Sequence, residues 1–287
     1  MATILVSYDT ETAAVGEVLS LFTRSPNFSR YELALDPANC GRALEVIERV
    51  HADVGVRGTL FVCGRTLLHA LDAVKRAHAG GNFDVQQHTF SHCPFKDIRY
   101  DGGEGTIAVI PASPLVALRE EVALTSRLIR DHLGHDCIGL RPPFCYHRGL
   151  RDRGDLLQML QDCGIRYVSS WGRNEENGNP TPWVQPFTYA EEGFPDFFEI
   201  PLQFWLDVIW FDQHGYDTGP EFLDALKGAV DHIVEHDLVY GACFHDWVML
   251  ASDEERVGWL RGFLTYARER GVEVTTYTDY WRRLATA

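Results

Sequence analysis

Short apolar, β-branched runs alternate with stretches of helical period along most of this sequence. Thr3 to Tyr8 is the first run, read as a buried strand that stops at the acids Asp9 and Glu11. Leu44, Ile47, Val50 and Val54 recur at helical spacing over 39–54, and 57–63 returns to a strand pattern that ends at Gly64. Residues 65–78 predict a helix closed by Gly80 and Gly81, and 82–87 a third strand that delivers His88. An aperiodic, Gly-rich segment at 93–112 is expected to be a loop covering the site. Ser113 and Pro114 then open a long helix that stops at Gly134.

The second half repeats the scheme. Strands are expected at 136–140, 165–170, 197–202, 238–244 and 272–277, and helices at 155–163, 220–236 and 252–270. Ser252-Asp253-Glu254-Glu255 has the capping-box pattern, Thr278 is expected to cap a short final helix, and 171–194 reads as a long loop. Pro142 and Pro143 exclude helix or central strand, so Arg141 is presented on a stiff loop. Alternation without repeats or linkers predicts a parallel α/β fold in one domain over 1–287. Such folds place active groups at the carboxyl ends of their strands. Asp9 with Glu11, His88, Arg141 and His245 each follow a different expected strand, so one mouth would collect them all.

Composition changes this picture mainly by exclusion. The net charge is −15 and no Lys/Arg run exceeds two residues, which argues against nucleic acid or an anionic membrane as partner and for a neutral or cationic small substrate. The first residues carry no basic leader, and no stretch approaches the ~18 apolar residues of a membrane span, so a cytoplasmic location is expected. Seven scattered cysteines without a Cys-x-x-Cys pair fit reduced thiols, mostly in the core; Cys93 and Cys145 flank the site and are read as packing rather than as groups that touch substrate. Self-association is left open.

Candidate chemistry centres on His88-Thr89-Phe90-Ser91-His92. On one helical turn two imidazoles four apart share a face and can reach one metal ion, although a chain with twelve histidines also produces such a pair by chance. A catalytic zinc site needs a third protein ligand, usually a carboxylate, and an open position. Trp171, Trp205 and Trp210 are read as core rather than as a sugar-stacking cleft, His147 as surface, and His51, His69, His78, His132, His232 and His236 as solvated helix residues.

Four stretches in order resemble the polysaccharide deacetylase (NodB-homology) family of metal-dependent N-deacetylases: Ser7-Tyr8-Asp9-Thr10-Glu11, His88 to His92, Arg141-Pro142-Pro143-Phe144 and Cys243-Phe244-His245. The resemblance implies a distorted (β/α)7 barrel. It further implies that His88, His92 and one first-motif carboxylate hold a divalent metal, zinc or else cobalt or nickel. Asp9 would then be the general base and Glu11 the ligand, with the reverse assignment as the alternative, because the common motif has adjacent acids and this one is split by Thr10. His245 would protonate the departing amine, the Phe144 N–H would take the oxyanion, and Arg141 would orient Asp9. Tyr167 to Trp171 keeps the tryptophan of a further family motif but lacks its acid, leaving Asp207 as an unplaced candidate to tune His245 or pair with Arg141. The implied activity is removal of an N-acyl, chiefly acetyl, group from an amino sugar or related small compound. An allantoinase-like hydrolysis of cyclic amides and an inactive, metal-retaining binding protein are the competing readings.

Overall fold

The computed structural model describes residues 1–15, 36–103, 106–250 and 253–286. Eleven strands occur among them: β1 (Thr3–Thr10), β2 (Gly58–Val62), β3 (Phe83–Gln87), β4 (Ile98–Gly103), β5 (Thr106–Ile110), β6 (Gly139–Leu140), β7 (Tyr167–Val168), β8 (Phe187–Tyr189), β9 (Phe194–Glu199), β10 (Val239–His245) and β11 (Glu273–Thr275). The helices are α1 (Cys40–Val54), α2 (Gly64–His69), α3 (Leu71–Ala79), α4 (Leu115–Leu133), α5 (Gly154–Asp162), α6 (Asp207–His214), α7 (Gly219–His236), α8 (Asp246–Leu250), α9 (Asp253–Glu269) and α10 (Tyr277–Leu284).

The main sheet runs β10-β1-β2-β3-β6-β7-β9-β8, with β11 also on β1. All of its pairings are parallel except β8 on β9. Every residue of β1 is buried, as expected of a strand paired on both edges. One edge takes β10 along Thr3 to Asp9; the other is shared between β11, at Thr3 to Leu5, and β2, at Ser7 to Thr10. This register sets Asp9 level with His245 on one side and Phe61 on the other. Between the β9 side and β10 the ring is closed by glutamine: the Gln203 N–H donates to the Gly241 carbonyl (3.2 Å), and its Oε1 accepts from the Gly241 N–H (2.5 Å). The seven parallel strands of this path, β10, β1, β2, β3, β6, β7 and β9, with β11 beside β1, form the distorted (β/α)7 barrel that the motifs imply.

Several local expectations are corrected. The 93–112 segment is not an open loop but carries the antiparallel hairpin β4–β5, in which the alternating Thr106-Ile107-Ala108-Val109-Ile110 pairs back on Ile98 to Gly103. Ile107 and Val109 are exposed, so this strand lacks the buried face that makes a strand pattern conspicuous. The helix expected at 65–78 divides at Ala70 into α2 and α3. The strand expected at 197–202 lies earlier, at β9, and the loop at 171–194 contains β8. Thr276, not Thr278, caps α10, its side chain accepting from the Asp279 N–H. The capping box at 252–255 depends on Ser252, outside the described residues; Glu255 instead accepts from the Gly219 N–H at the start of α7 (3.0 Å). Gly134 does end α4, in a left-handed conformation (φ 76°) from which its N–H reaches the Arg130 carbonyl.

His51 is the largest departure. It is fully buried, with its ring centroid 4.6 Å from that of Phe83 and its Nε2 2.8 Å from the Tyr8 hydroxyl. The helical period explains this: His51 lies four residues after Ile47 and seven after Leu44, on the same apolar face of α1.

Candidate active site

Three side chains converge past the ends of β1 and β3. Glu11 Oε2 lies 3.1 Å from His88 Nε2 and 2.9 Å from His92 Nε2, and all three residues are buried. The histidines are not on a helical turn. Thr89 and His92 take positive φ (63° and 62°), which a helix cannot contain, so the loop itself brings the two rings together. The loop is held from two sides. Its Thr89 and Phe90 carbonyls accept from the Gly64 and Arg65 N–H groups at the start of α2, and the Glu121 carboxylate of α4 accepts from the Phe90 N–H (2.9 Å), the Ser91 N–H (2.7 Å) and the Ser91 hydroxyl (2.8 Å). Gly64 is required for the first contact, since a Cβ there would stand 2.3 Å from the Phe90 ring.

The orientation of each group is fixed in turn. His88 Nδ1 donates to the Arg141 carbonyl (2.7 Å), which turns Nε2 towards Glu11; with an ion bound between them, Nε2 would be the free acceptor that a metal requires. Glu11 Oε1 accepts from the Trp247 indole N–H (3.0 Å). Burial would raise the Glu11 carboxyl, yet the two histidines hold it well below the usual carboxylate range. Asp9 Oδ1 receives the Arg141 guanidinium at 2.6 Å, while Oδ2 stands 3.7 Å from His88 Nε2 and 4.0 Å from His245 Nε2. Burial again opposes ionisation, and Arg141, His88 and His245 overcome it to lower the Asp9 pKa. Arg141 is itself buried, its guanidinium 4.1 Å from the centroid of the Phe61 ring. Across the trio, His245 Nδ1 donates to Asp207 Oδ1 at 2.6 Å, and burial, which would lower the pKa of this imidazole, is outweighed by Asp207 so that it rises to about 9.

Among the described residues two groups have the donor chemistry of a metal site, Glu11-His88-His92 and Asp9-Cys243-His245. The first fits a divalent ion: two imidazole nitrogens and a carboxylate oxygen meet at one point. The second fits poorly. The Arg141 guanidinium already sits on both Asp9 and Cys243 Sγ (3.3 Å), and burial, then Asp9, push the Cys243 thiol up when a metal needs the thiolate.

Asp9, Glu11, His88, His92, Phe144 and His245 all line one cleft of about 260 Å³, and Arg141 lies behind Asp9. The motif residues singled out in the sequence are therefore together. Asp207 serves His245 and not Arg141. Trp171, Trp205, Trp210 and His147 do not line the cleft; Trp210 is core, and His147 lies beside Lys96 and Arg151. Of the two flanking cysteines, Cys145 lines the cleft and Cys93 packs against the core. Sequence reading missed the Trp247 contact, Glu121 and Asp246, whose carboxylate accepts from the Glu11 and Thr12 N–H groups and the Thr12 hydroxyl. Trp247 and Asp246 had a signal in adjacency to His245; Glu121 had none, as one acid on the polar face of a long helix.

No protein-family profile and no curated protein matches the sequence. Solved structures do match. A probable polysaccharide deacetylase from Pseudomonas aeruginosa PAO1 superposes with a TM-score of 0.72 at 15% identity, over 99% of this chain and 91% of that one. The allantoinase Puue gives 0.73 at 14% identity, over 100% and 91%. A CE4 family pseudoenzyme from Bacillus anthracis gives 0.51 at 12% identity, over 97% and 65%. The chain thus has the fold of the polysaccharide deacetylases, which an allantoinase shares. No helix among the described residues is long and apolar enough to cross a membrane.

Proposed function

We propose that this chain is a metal-dependent hydrolase that removes an N-acyl group, in the first instance acetyl, from an amino sugar or related small compound, with residues 1–287 acting as one catalytic domain. The observation that carries the reading is the meeting of His88, His92 and Glu11 within 3.1 Å of a common point, with Asp9 and His245 on its flanks. Glu11, His88 and His92 would hold a divalent ion such as Zn2+, Co2+ or Ni2+. When bound there, the ion supplies Lewis acidity that polarises an amide carbonyl and acidifies water.

The remaining steps belong to the protein. Asp9 takes the proton of the attacking water at Oδ2, since Oδ1 is committed to Arg141, whose charge keeps the carboxylate ionised and aimed. Assigning Asp9 as base and Glu11 as ligand is supported by distance: Glu11 reaches both histidines, Asp9 neither within 3.5 Å. The Phe144 N–H, on a residue held at φ 72° in the cleft wall, stabilises the oxyanion. His245, whose imidazolium form the Asp207 carboxylate favours, gives its Nε2 proton to the leaving amine.

A second reading, hydrolysis of a cyclic amide, is favoured by the TM-score of 0.73 with an allantoinase, and uses the same groups with a leaving nitrogen that stays tethered. The test is to load the purified chain with Zn2+ or Co2+ and assay N-acetyl sugars, other N-acetyl compounds and cyclic ureides for amine or acid release. Turnover of acyclic N-acetyl compounds supports the first reading and turnover of ureides alone the second. Inactivity towards all of them with one metal bound would favour a metal-retaining binding protein.

A further inference from the structure

The wall of the cleft carries a cation that the proposed hydrolysis does not use. Arg173, in the segment after β7, lines the cleft with Arg99, Asn177, Leu206 and Val208. Its Nε donates to the Phe144 carbonyl at 3.0 Å, which fixes the plane of the guanidinium, and no carboxylate among the described residues comes within ion-pair distance of its Nη atoms. Asp212 lines the same cleft. The contrast with Arg141, neutralised by Asp9 at 2.6 Å, is direct. Burial lowers the Arg173 pKa, against small opposing effects from Cys145, Tyr146 and Cys243, none of which is an anion at neutral pH. A partly buried, uncompensated guanidinium is costly unless a ligand neutralises it, and its planar fork matches a carboxylate.

We propose that Arg173 is a substrate-binding residue and that the substrate is anionic, an N-acyl compound bearing a carboxylate that the Arg173 guanidinium receives while the scissile amide lies at the Glu11-His88-His92 trio. The inference rests on the hydrolase reading and narrows it. It also reverses the expectation of a neutral or cationic substrate drawn from the net charge of −15, because affinity is set by the field inside the cleft and not by the sum over the surface. Apolar Ile98, Leu206, Val208 and Ile209 would cover the spacer between the two ends.

The test has a kinetic and a binding arm. In the first, zinc-loaded wild-type chain, R173Q and R173K are assayed on N-acetyl-amino acids with one to four carbons between amide and carboxylate, each paired with its uncharged methyl amide. The expected result is a preference of tenfold or more in kcat/KM for the charged member of at least one pair, expressed mainly in KM, lost in R173Q and partly kept in R173K. A charge-assisted hydrogen bond of about 1.5–3 kcal/mol corresponds to roughly ten- to a hundredfold. No preference in the wild type, or a loss in R173Q equal for both members of a pair, would mean that Arg173 only braces Phe144 and would overturn the proposal. In the second arm, glutarate is titrated into the metal-free chain and thermal unfolding followed. A rise in Tm with glutarate in wild type that is absent in R173Q supports the anion site even if no amide is hydrolysed, the outcome that would instead sink the hydrolase reading. The absence of any rise in wild type overturns the anion site on its own.

Discussion

Asp207 grips His245 at two points: Oδ1 accepts from the imidazole Nδ1 at 2.6 Å and Oδ2 from the backbone N–H at 2.9 Å. Nδ1 therefore carries a proton and Nε2 faces the cleft, as a proton donor to a leaving amine requires. D207N is expected to retain its metal and to lose roughly ten- to a hundredfold in kcat, with the alkaline limb of its pH profile moved to lower pH as the imidazole loses its counter-charge. A D207N profile identical to wild type would detach Asp207 from the chemistry.

His245 itself is separated from a structural role by choice of leaving group. H245A is expected to keep its fold and metal but to lose about 10²–10⁴ in kcat on an amide, and less on an activated ester whose alkoxide needs little protonation. Equal losses on both would return His245 to bracing the start of α8.

Removal of the proposed metal ligands and of the proposed base should be distinguishable. H88A and H92A are expected to bring metal content from about one ion per chain to near zero, and E11Q to weaken retention more than D9N, which should remain loaded and inactive. Metal analysis after dialysis against a mild chelator reads this directly. The opposite order for Glu11 and Asp9 would exchange their roles.

Glu121 does not line the cleft, yet its carboxylate receives three hydrogen bonds from Phe90 and Ser91 between the two histidines. E121A should weaken metal binding by roughly tenfold or more, the range typical of groups that orient ligands from outside, with smaller effect on the metal-free melt. Zinc affinity by competition with a chromogenic chelator would check it.

His51 gives a pH dependence remote from the metal. Buried and neutral, it accepts the Tyr8 O–H at Nε2 and donates from Nδ1 to the Val56 carbonyl (3.2 Å), and burial lowers its pKa to about 4. The unfolded chain, with an ordinary histidine near ~6.5, binds the extra proton first. The His51 contribution is thus complete above about pH 6.5 and is lost as pH falls from there through about 4, a change of order 3 kcal/mol. H51Q should flatten that part of the stability curve in denaturant titrations; an unchanged slope would mean that His51 protonates freely in the fold.

The sequence by itself determined the parallel strand-helix alternation and which candidate groups follow strand ends, while the (β/α)7 barrel was implied by the resemblance of four motifs. Period-2 and period-3.6 patterns report burial, and the strand ends that deliver Asp9, Glu11, His88, Arg141 and His245 are local facts of that pattern. It also carried the His51 burial, legible in the spacing from Leu44 and Ile47 but hidden by residue type. What only the tertiary structure decided are relations between elements far apart in the chain. The proposed division of labour between Asp9 and Glu11 rests on Arg141 arriving from 132 residues away to occupy one oxygen of Asp9. The pairing of Asp207 with His245, the bracing of the histidine loop by Glu121 and the isolation of Arg173 in the cleft are of the same kind. No periodicity encodes them, because a hydrogen bond is fixed by ångström-scale placement of two side chains, and a one-dimensional pattern says which face a residue occupies but not which residue it meets there.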